Sequence, residues 1–473
     1  MREPRLKRFA THTALPLTPT SGTIPNKPRS DDPKQNFLGA RVISKLLWRL
    51  LPFLFLLYVV AYLDRINVGF AALQMRQELG FSDDVYGIGS GIFFAGYFLF
   101  QLPSNLALQR VGARRWIALL MIVWGCISAS NMLVTTPRSF YTLRFLLGAA
   151  EAGFFPGMIL YFRSWFPADA RARVVAMFMT AGPVSGIIGG PISGALLGLH
   201  HVRGLSGWQW LFLLEGLPAI VLGGLAFFVI SDRPENAKWL SPEQRTWLAT
   251  TLREEDRAAL ALSNNEGNRT SSANRMAEIL TNGRLWLFAF VYFGLNTCAY
   301  GVSLWLPVAL RSLTGISNFR LGLLSTIPYA TAAVIMVILG IHSDRTGERR
   351  WHVAIAAIVA AVALCFAGYA TNVTWLILAF SVAMIGVQSM NGPFWAMPSK
   401  LLSSSVAAAG IALINSVGNL GSGFGPYWIG HLRNSSGSFK AGLLSVAGIL
   451  ALAAVVVLIA SSGSTRPRAG AAG

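Results

Sequence analysis

Three acids stand inside apolar stretches long enough to enter a bilayer: Asp64, Glu151 and Glu215. Asp64 is followed directly by Arg65 in YVVAYLDRINVGFA, residues 58–71, and Glu151 lies seven residues after Arg144 in RFLLGAAEAGFFPG. Charges at that depth cost roughly 2.5–3.5 kcal/mol each even on lenient insertion scales, so they are rarely left without a task. A spacing of seven puts Arg144 and Glu151 on one helical face, two turns apart, with Gly148 between them leaving a gap that could admit a substrate group or water. The chemistry such a set can do is proton exchange at Asp64 and Glu151, with Arg65 and Arg144 holding them or a substrate carboxylate. Arginine suits that task because its planar fork binds a carboxylate at two points and keeps its charge when desolvated. Desolvation favours a neutral acid and a neighbouring arginine favours the carboxylate, so a small rearrangement switches protonation. The competing reading is a permanent buried ion pair that fixes helix register. For Glu215, in WQWLFLLEGLP, a structural role is expected, because it sits near the start of its span, where a charge costs less.

The elements that position these groups follow from composition. The chain has 473 residues, 53% hydrophobic and only 12% charged, which excludes an ordinary soluble globule. Hydrophobic runs of about 20 residues read as transmembrane helices. Twelve are predicted, near 47–71, 86–108, 114–134, 138–161, 173–198, 208–230, 285–310, 321–341, 352–370, 375–398, 405–430 and 439–461. The fold class is an all-α polytopic membrane protein of two pseudo-symmetric six-helix bundles. Its parts are a disordered basic tail (1–45), a first bundle (46–230), a polar connector (231–284), a second bundle (285–462) and a short tail (463–473). The connector's charge pattern predicts a short amphipathic surface helix followed by a flexible Asn/Ser-rich stretch.

The formal charge of +19 raises nucleic acid as a partner, and its distribution removes it. With both termini inside, 30 of the 39 Lys and Arg fall on inner segments and seven on outer ones. The positive-inside rule then places both termini and the connector in the cytoplasm of a cell whose inner membrane holds the chain, in contact with anionic lipids. Cys126, Cys298 and Cys365 lie in apolar runs without metal-ligand spacing. The six histidines, His12, His200, His201, His342, His352 and His431, occupy the tail, loops or span ends, so neither a metal cluster nor an embedded enzyme is read. A channel is disfavoured by the six-plus-six repeat.

That repeat has a sequence signature. The loop after span eight runs from Gly340 through Asp344, Arg345 and Gly347 to Arg350, and the matching loop after span two carries Asn105, Gln109, Arg110, Gly112 and Arg115. Span five places Gly182, Gly186, Gly190, Gly194 and Gly198 on one bare stripe, open to tight packing or to sliding, with Pro183 and Pro191 able to bend it. Span eleven, with Gly410, Gly418, Gly421, Gly423 and Gly425, is its counterpart. Tyr58, Tyr62 and Arg65 share a face of span one, and Tyr97 with Gln101 lies on span two. In the second half Asn296, Tyr300, Gln388, Asn391, Trp395, Asn415 and Asn419 could form a neutral hydrogen-bonding wall, each of them alone also suiting an interhelical bond.

The G-x-x-x-D-R-x-G-x-R-R loop resembles the signature of the major facilitator superfamily, complete in the second half and degenerate in the first, where Asn105 and Gln109 replace the glycine and the acid. YLDRINVGFA, GIFFAGYFLFQLPSN, RVGARRWIALL, RFLLGAAEAGFFPGMILYFRSWFP and GWQWLFLLEGLPA resemble its anion:cation symporter family, most like the bacterial tartrate and aromatic-acid permeases. The resemblance implies uptake of an organic anion with protons or sodium between two six-helix halves. It implies protons on Asp64 and Glu151, substrate beside Arg65, Arg144, Tyr62 and Tyr97, and a span-eleven asparagine for which Asn415 and Asn419 compete. The expectation is a monomeric carrier of tartrate or a related carboxylate, driven by the proton gradient without a cofactor. Phthalate-like or hydroxyphenylacetate-like acids and sodium coupling are the alternatives.

Overall fold

The computed structural model describes residues 33–267, 280–398 and 404–461, and every regular element among them is helical. Hydrocarbon offers the backbone no hydrogen-bond partner, so a spanning segment must satisfy its own N–H and C=O groups as a helix. Eleven helical stretches are long and apolar enough to cross a membrane among the described residues. A twelfth long helix, Ser404–Ser436, packs among them.

The first bundle holds α1 (Pro33–Leu79), α2 (Asp83–Val111), α3 (Ala113–Ser130), α4 (Pro137–Glu151), α5 (Phe154–Trp165), α6 (Ala168–Met179), α7 (Ala181–Leu196) and α8 (Gly207–Val229). Spans four and five are each broken once, as α4/α5 and α6/α7. Both breaks sit four residues before a proline: Pro156 has no N–H for the carbonyl of Ala152, and Pro183 none for Met179. Residues 33–45, expected in the tail, instead extend α1 by several turns. Their polar sequence carries no span signal, and the extension is held where Gly39 packs on the Trp247 ring. The connector helix α9 (Pro242–Gly267), longer than expected, docks on the first bundle. Glu255 accepts from the Ala168 N–H (3.0 Å) and pairs with Arg171 (3.3 Å), and Asp256 pairs with Arg163 (3.0 Å). The second bundle holds α10 (Gly283–Ser312), α11 (Asn318–Thr346), α12 (Arg350–Gly368), α13 (Val373–Ala396), α14 (Ser404–Ser436) and α15 (Phe439–Ser461). The basic segment up to residue 32, residues 268–279, Lys400 and the segment from 462 lie outside the described residues.

The two bundles meet on one face, opposite the connector. There one continuous hydrophobic core joins Val68, Ala72, Met75 and Tyr86 of the first bundle to Leu304, Trp305 and Ile429 of the second. The connector-side core of the first bundle, from Val42 to Ala61, is separate. Small residues make the seam: a Cβ on Gly91 would lie 2.6 Å from the Gly423 carbonyl oxygen, and one on Gly69 2.9 Å from that of Leu304. The span-five stripe faces α11, with Gly190 against Gly322 and Gly194 against Asn318, while Gly182 meets the Tyr62 ring. The stripe therefore lies largely on the inter-bundle seam.

Polar groups clasp the same face. Asp83, at the start of α2, pairs with Arg76 and with Arg433 of α14 (2.7 Å), and Asp84 binds His431 (3.1 Å) and Asn434 (2.6 Å). The Asp83–Arg433 pair is mostly buried, and losing such a bond costs about 1.5–3 kcal/mol. Asp83→Asn is therefore expected to shift the closed-to-open ratio of this face by roughly ten- to a hundred-fold. Spin labels on Arg138→Cys and Ser435→Cys, at exposed positions of the two bundles, should show longer inter-bundle distances in that variant; an unchanged distribution would mean the clasp does not hold the face closed.

Candidate functional site

Consecutive residues on a helix point about 100° apart, so Asp64 and Arg65 leave α1 toward different neighbours. Asp64, fully buried, turns into the first bundle toward α3. It accepts from Trp124 Nε1 (3.0 Å), Ser128 Oγ (2.7 Å) and, on its own helix, Asn67 Nδ2 (3.4 Å). Trp124 and Ser128, four apart on α3, present both donors on one face. Arg65 turns the other way, to α4, where its Nε donates to Glu151 Oε1 at 2.6 Å. Its guanidinium lies 5.0 Å from the Tyr97 ring centroid, 5.7 Å from Tyr62 and 5.9 Å from Phe93, within cation–π reach of all three.

The pairing differs from the one that spacing within α4 implies. Glu151 is the last residue of α4, at the break before Pro156, and its ion-pair partner is Arg65 across the bundle. Arg144, 1% exposed, stacks on Phe93 at 5.0 Å and reaches the Gly89 carbonyl at 3.4 Å. The gap expected at Gly148 is filled: a Cβ there would fall on the Phe93 carbonyl group, 2.8 Å from its carbon and 3.1 Å from the Tyr97 nitrogen. Gly148 and Gly96 thus let α2 and α4 touch backbone to backbone. Glu215 is also more enclosed than its place near a span end implies. It is 5% exposed and accepts from Ser193 Oγ at 2.7 Å.

Three buried polar atoms of the charged cluster have no partner: Arg65 Nη2, Arg144 Nη1 and Glu151 Oε2. Two guanidinium nitrogens are donors that an anion can satisfy, and the carboxylate oxygen is an acceptor that a proton can neutralise.

From the second bundle, Tyr300 of α10 reaches this cluster. Its ring packs edge-on 4.6 Å from that of Phe94, the neighbour of Phe93. Tyr300, expected in the neutral wall, thus borders the charged cluster, as do Phe93, Trp124 and Ser128, and spacing singled out none of these last three. Asn391 donates to Gln388 of its own helix α13 (3.4 Å), and Asn415 and Asn419 are half-buried on α14. The signature loops lie on the connector face. Gln109 and Arg110 end α2 exposed, and Gly112 turns with φ +93° beside Asp232, which accepts the Arg114 N–H at 2.9 Å. Asp232, from the start of the connector, thus supplies a carboxylate to the loop where Gln109 stands for the acid. In the second copy Gly340 lies within α11, Asp344 pairs with Arg349 (2.8 Å), Arg345 is exposed, and Gly347 caps the helix at φ +68°. A left-handed cap of that kind is the conformation glycine adopts without strain.

Comparison with known proteins agrees with this architecture. A family model described as Major Facilitator Superfamily matches residues 54–426 and 309–471. A protein of Agrobacterium vitis named "Putative tartrate transporter" is 48% identical over 438 residues, covering 93% of this chain and 95% of its own. A protein of Pseudomonas putida named "Putative metabolite transport protein NicT" is 41% identical over 88% of this chain and 93% of its own. A solved bacterial homologue of the human lysosomal transporter Spinster, in an inward-facing and occupied conformation, superposes with a TM-score of 0.72 at 16% identity, over 87% of this chain and 96% of that one. The chain is a membrane transporter that belongs to the major facilitator superfamily.

Proposed function

We propose that the chain imports a small carboxylate such as tartrate together with protons, by alternating access. The observation that carries this reading is the buried Arg65–Glu151 pair with its unsatisfied atoms beside Arg144. A proton on Glu151 removes the charge that holds Arg65, and the freed fork takes a substrate carboxylate in its place. For a monocarboxylate the cluster's net charge is then the same empty and loaded; tartrate, with two carboxylates, needs a second proton for the same balance, and the balanced exchange lets the loaded carrier reorient. Asp64, held away from the arginines by Trp124 and Ser128, is the second proton site. The bundle contacts opposite the connector describe a carrier closed on that face. With the connector inside, as the charge count argues, the closed face is the outer one. The Tyr62, Phe93 and Tyr97 rings around Arg65 favour a second reading, an aromatic carboxylate stacked among them.

Purified protein in liposomes, acid outside, tests the coupling. Wild type should accumulate radiolabelled tartrate uphill, and Asp64→Asn and Glu151→Gln should each lose roughly ten-fold or more of that uptake. If both variants keep uphill uptake at full strength, the proton sites are misassigned. Thermal stabilisation by tartrate set against phthalate ranks the two substrate readings.

A further inference from the structure

α12 and α15 lie against each other in the second bundle, and a groove of about 590 Å³, almost wholly apolar, opens along their contact. Ile358, Val362, Phe366 and Tyr369, one stripe of α12, line it and are each between 48% and 70% exposed. Leu444, Gly448 and Ala451 of α15 face them. A Cβ on Gly448 would meet nothing within 4 Å, so no neighbouring side chain fills the groove there.

The groove has the length of one bilayer leaflet. From Tyr369 back to Ile358, and from Lys440 on to Ala451, each helix advances eleven residues, about 16 Å at 1.5 Å per residue. One leaflet's share of the hydrocarbon is about 15 Å. α12 starts at the connector face, after the signature loop, so Tyr369 and Lys440 stand at the opposite face and the groove runs from there to mid-membrane. A cation marks its outer end. Lys440 is exposed, and its ammonium lies 4.1 Å from the Tyr369 ring centroid, within cation–π reach. No Asp or Glu follows Glu348 in the chain, so α12 to α15 offer that ammonium no carboxylate. Three N–H donors and a positive charge at the mouth of an apolar slot suit a phosphate that carries an acyl chain.

We infer that this groove holds one acyl chain of a phospholipid from the leaflet opposite the connector, with Lys440 and the Tyr369 hydroxyl on its anionic headgroup. A net anionic headgroup is preferred to a choline headgroup, whose own cation offsets the phosphate. Both helices belong to one bundle, so the lipid travels with that bundle as the inter-bundle seam opens and closes.

The full chain in liposomes is irradiated with trace phosphatidylglycerol or phosphatidylcholine carrying a diazirine in the acyl chain, and the adducts are mapped by mass spectrometry. The stretch of α8 with the exposed Val221, Leu225 and Phe228 is the reference for ordinary surrounding lipid. Adducts on 358–369 and 444–451, relative to α8, should be about five-fold more abundant with the phosphatidylglycerol probe than with phosphatidylcholine, the factor one lysine contributes at a charged membrane surface. Lys440→Gln should bring that ratio to one. Gly448→Leu, built where a Cβ meets no neighbour, should lower the groove adducts of both probes several-fold and leave those on α8 unchanged. Equal labelling of groove and α8 by both probes would overturn the inference, as would a ratio that Lys440→Gln does not move. Crosslinked dimers joined through α12 and α15 in place of lipid adducts would overturn it too, since the occupant is then a second copy of the chain.

Discussion

Replacing Arg65 by glutamine is expected to abolish tartrate binding and to destabilise the protein by about 3–5 kcal/mol, because it leaves the Glu151 carboxylate buried without its partner. Sequence alone leaves Arg65 to hold either an acid or a substrate carboxylate. The 2.6 Å contact with Glu151 makes it serve both, since the substrate is proposed to replace Glu151 on the same guanidinium. Arg65→Lys keeps the charge and loses the fork, so tartrate affinity should fall roughly ten- to a hundred-fold while the fold survives. The double variant Arg65→Gln with Glu151→Gln removes both charges. It should recover most of the melting temperature lost by Arg65→Gln and none of the uptake. Differential scanning fluorimetry in detergent, with tartrate binding measured on the same samples, checks all three. A melting temperature of Arg65→Gln equal to wild type would show that the pair contributes nothing to the fold.

The architecture was largely legible because a bilayer permits few solutions. Runs of apolar residues had to be helices, and a signature loop recurring after spans two and eight marked two halves. What stayed hidden were polar extensions such as residues 33–45, whose docking against Trp247 depends on tertiary contact. The charged residues themselves were legible from their cost. Their partners were not, because spacing assigns a face within one helix and says nothing of which helix that face meets. Arg144 and Glu151 share a face of one span, yet each is bound across the bundle, to α2 and α1. Trp124 and Ser128 escaped notice because a tryptophan and a serine in an apolar span have many uses, and only the carboxylate opposite gives them one. Glu215 was judged by its distance from a span end, whereas its enclosure is set by α1 and α7.

Gly148 shows how one absence carries two meanings, and it gives the other large expected effect. A missing side chain beside two buried charges reads the same whether a ligand or a neighbouring backbone fills the space. Here the filler is the Phe93 carbonyl of α2, with Gly96 meeting Ala149 reciprocally. Backbone cannot change rotamer to make room, so Gly148→Ala must push α2 and α4 apart, at a cost in the upper part of the roughly 1–3 kcal/mol range for overpacking. The displacement acts where it matters most: Phe93 supports Arg144 and lies beside Arg65, and Glu151 is one turn along α4. Gly148→Ala is therefore expected to lower the melting temperature and to reduce tartrate uptake by more than the loss of folded carrier accounts for. Gly224 of α8 is the control, since a Cβ there meets nothing within 4 Å. Alanine is the better helix former by about 1 kcal/mol, so Gly224→Ala should leave uptake intact and stability equal or higher. If Gly148→Ala transports like Gly224→Ala, α2 and α4 do not need their close approach, and the positions of both arginines are set by something other than the α2–α4 contact.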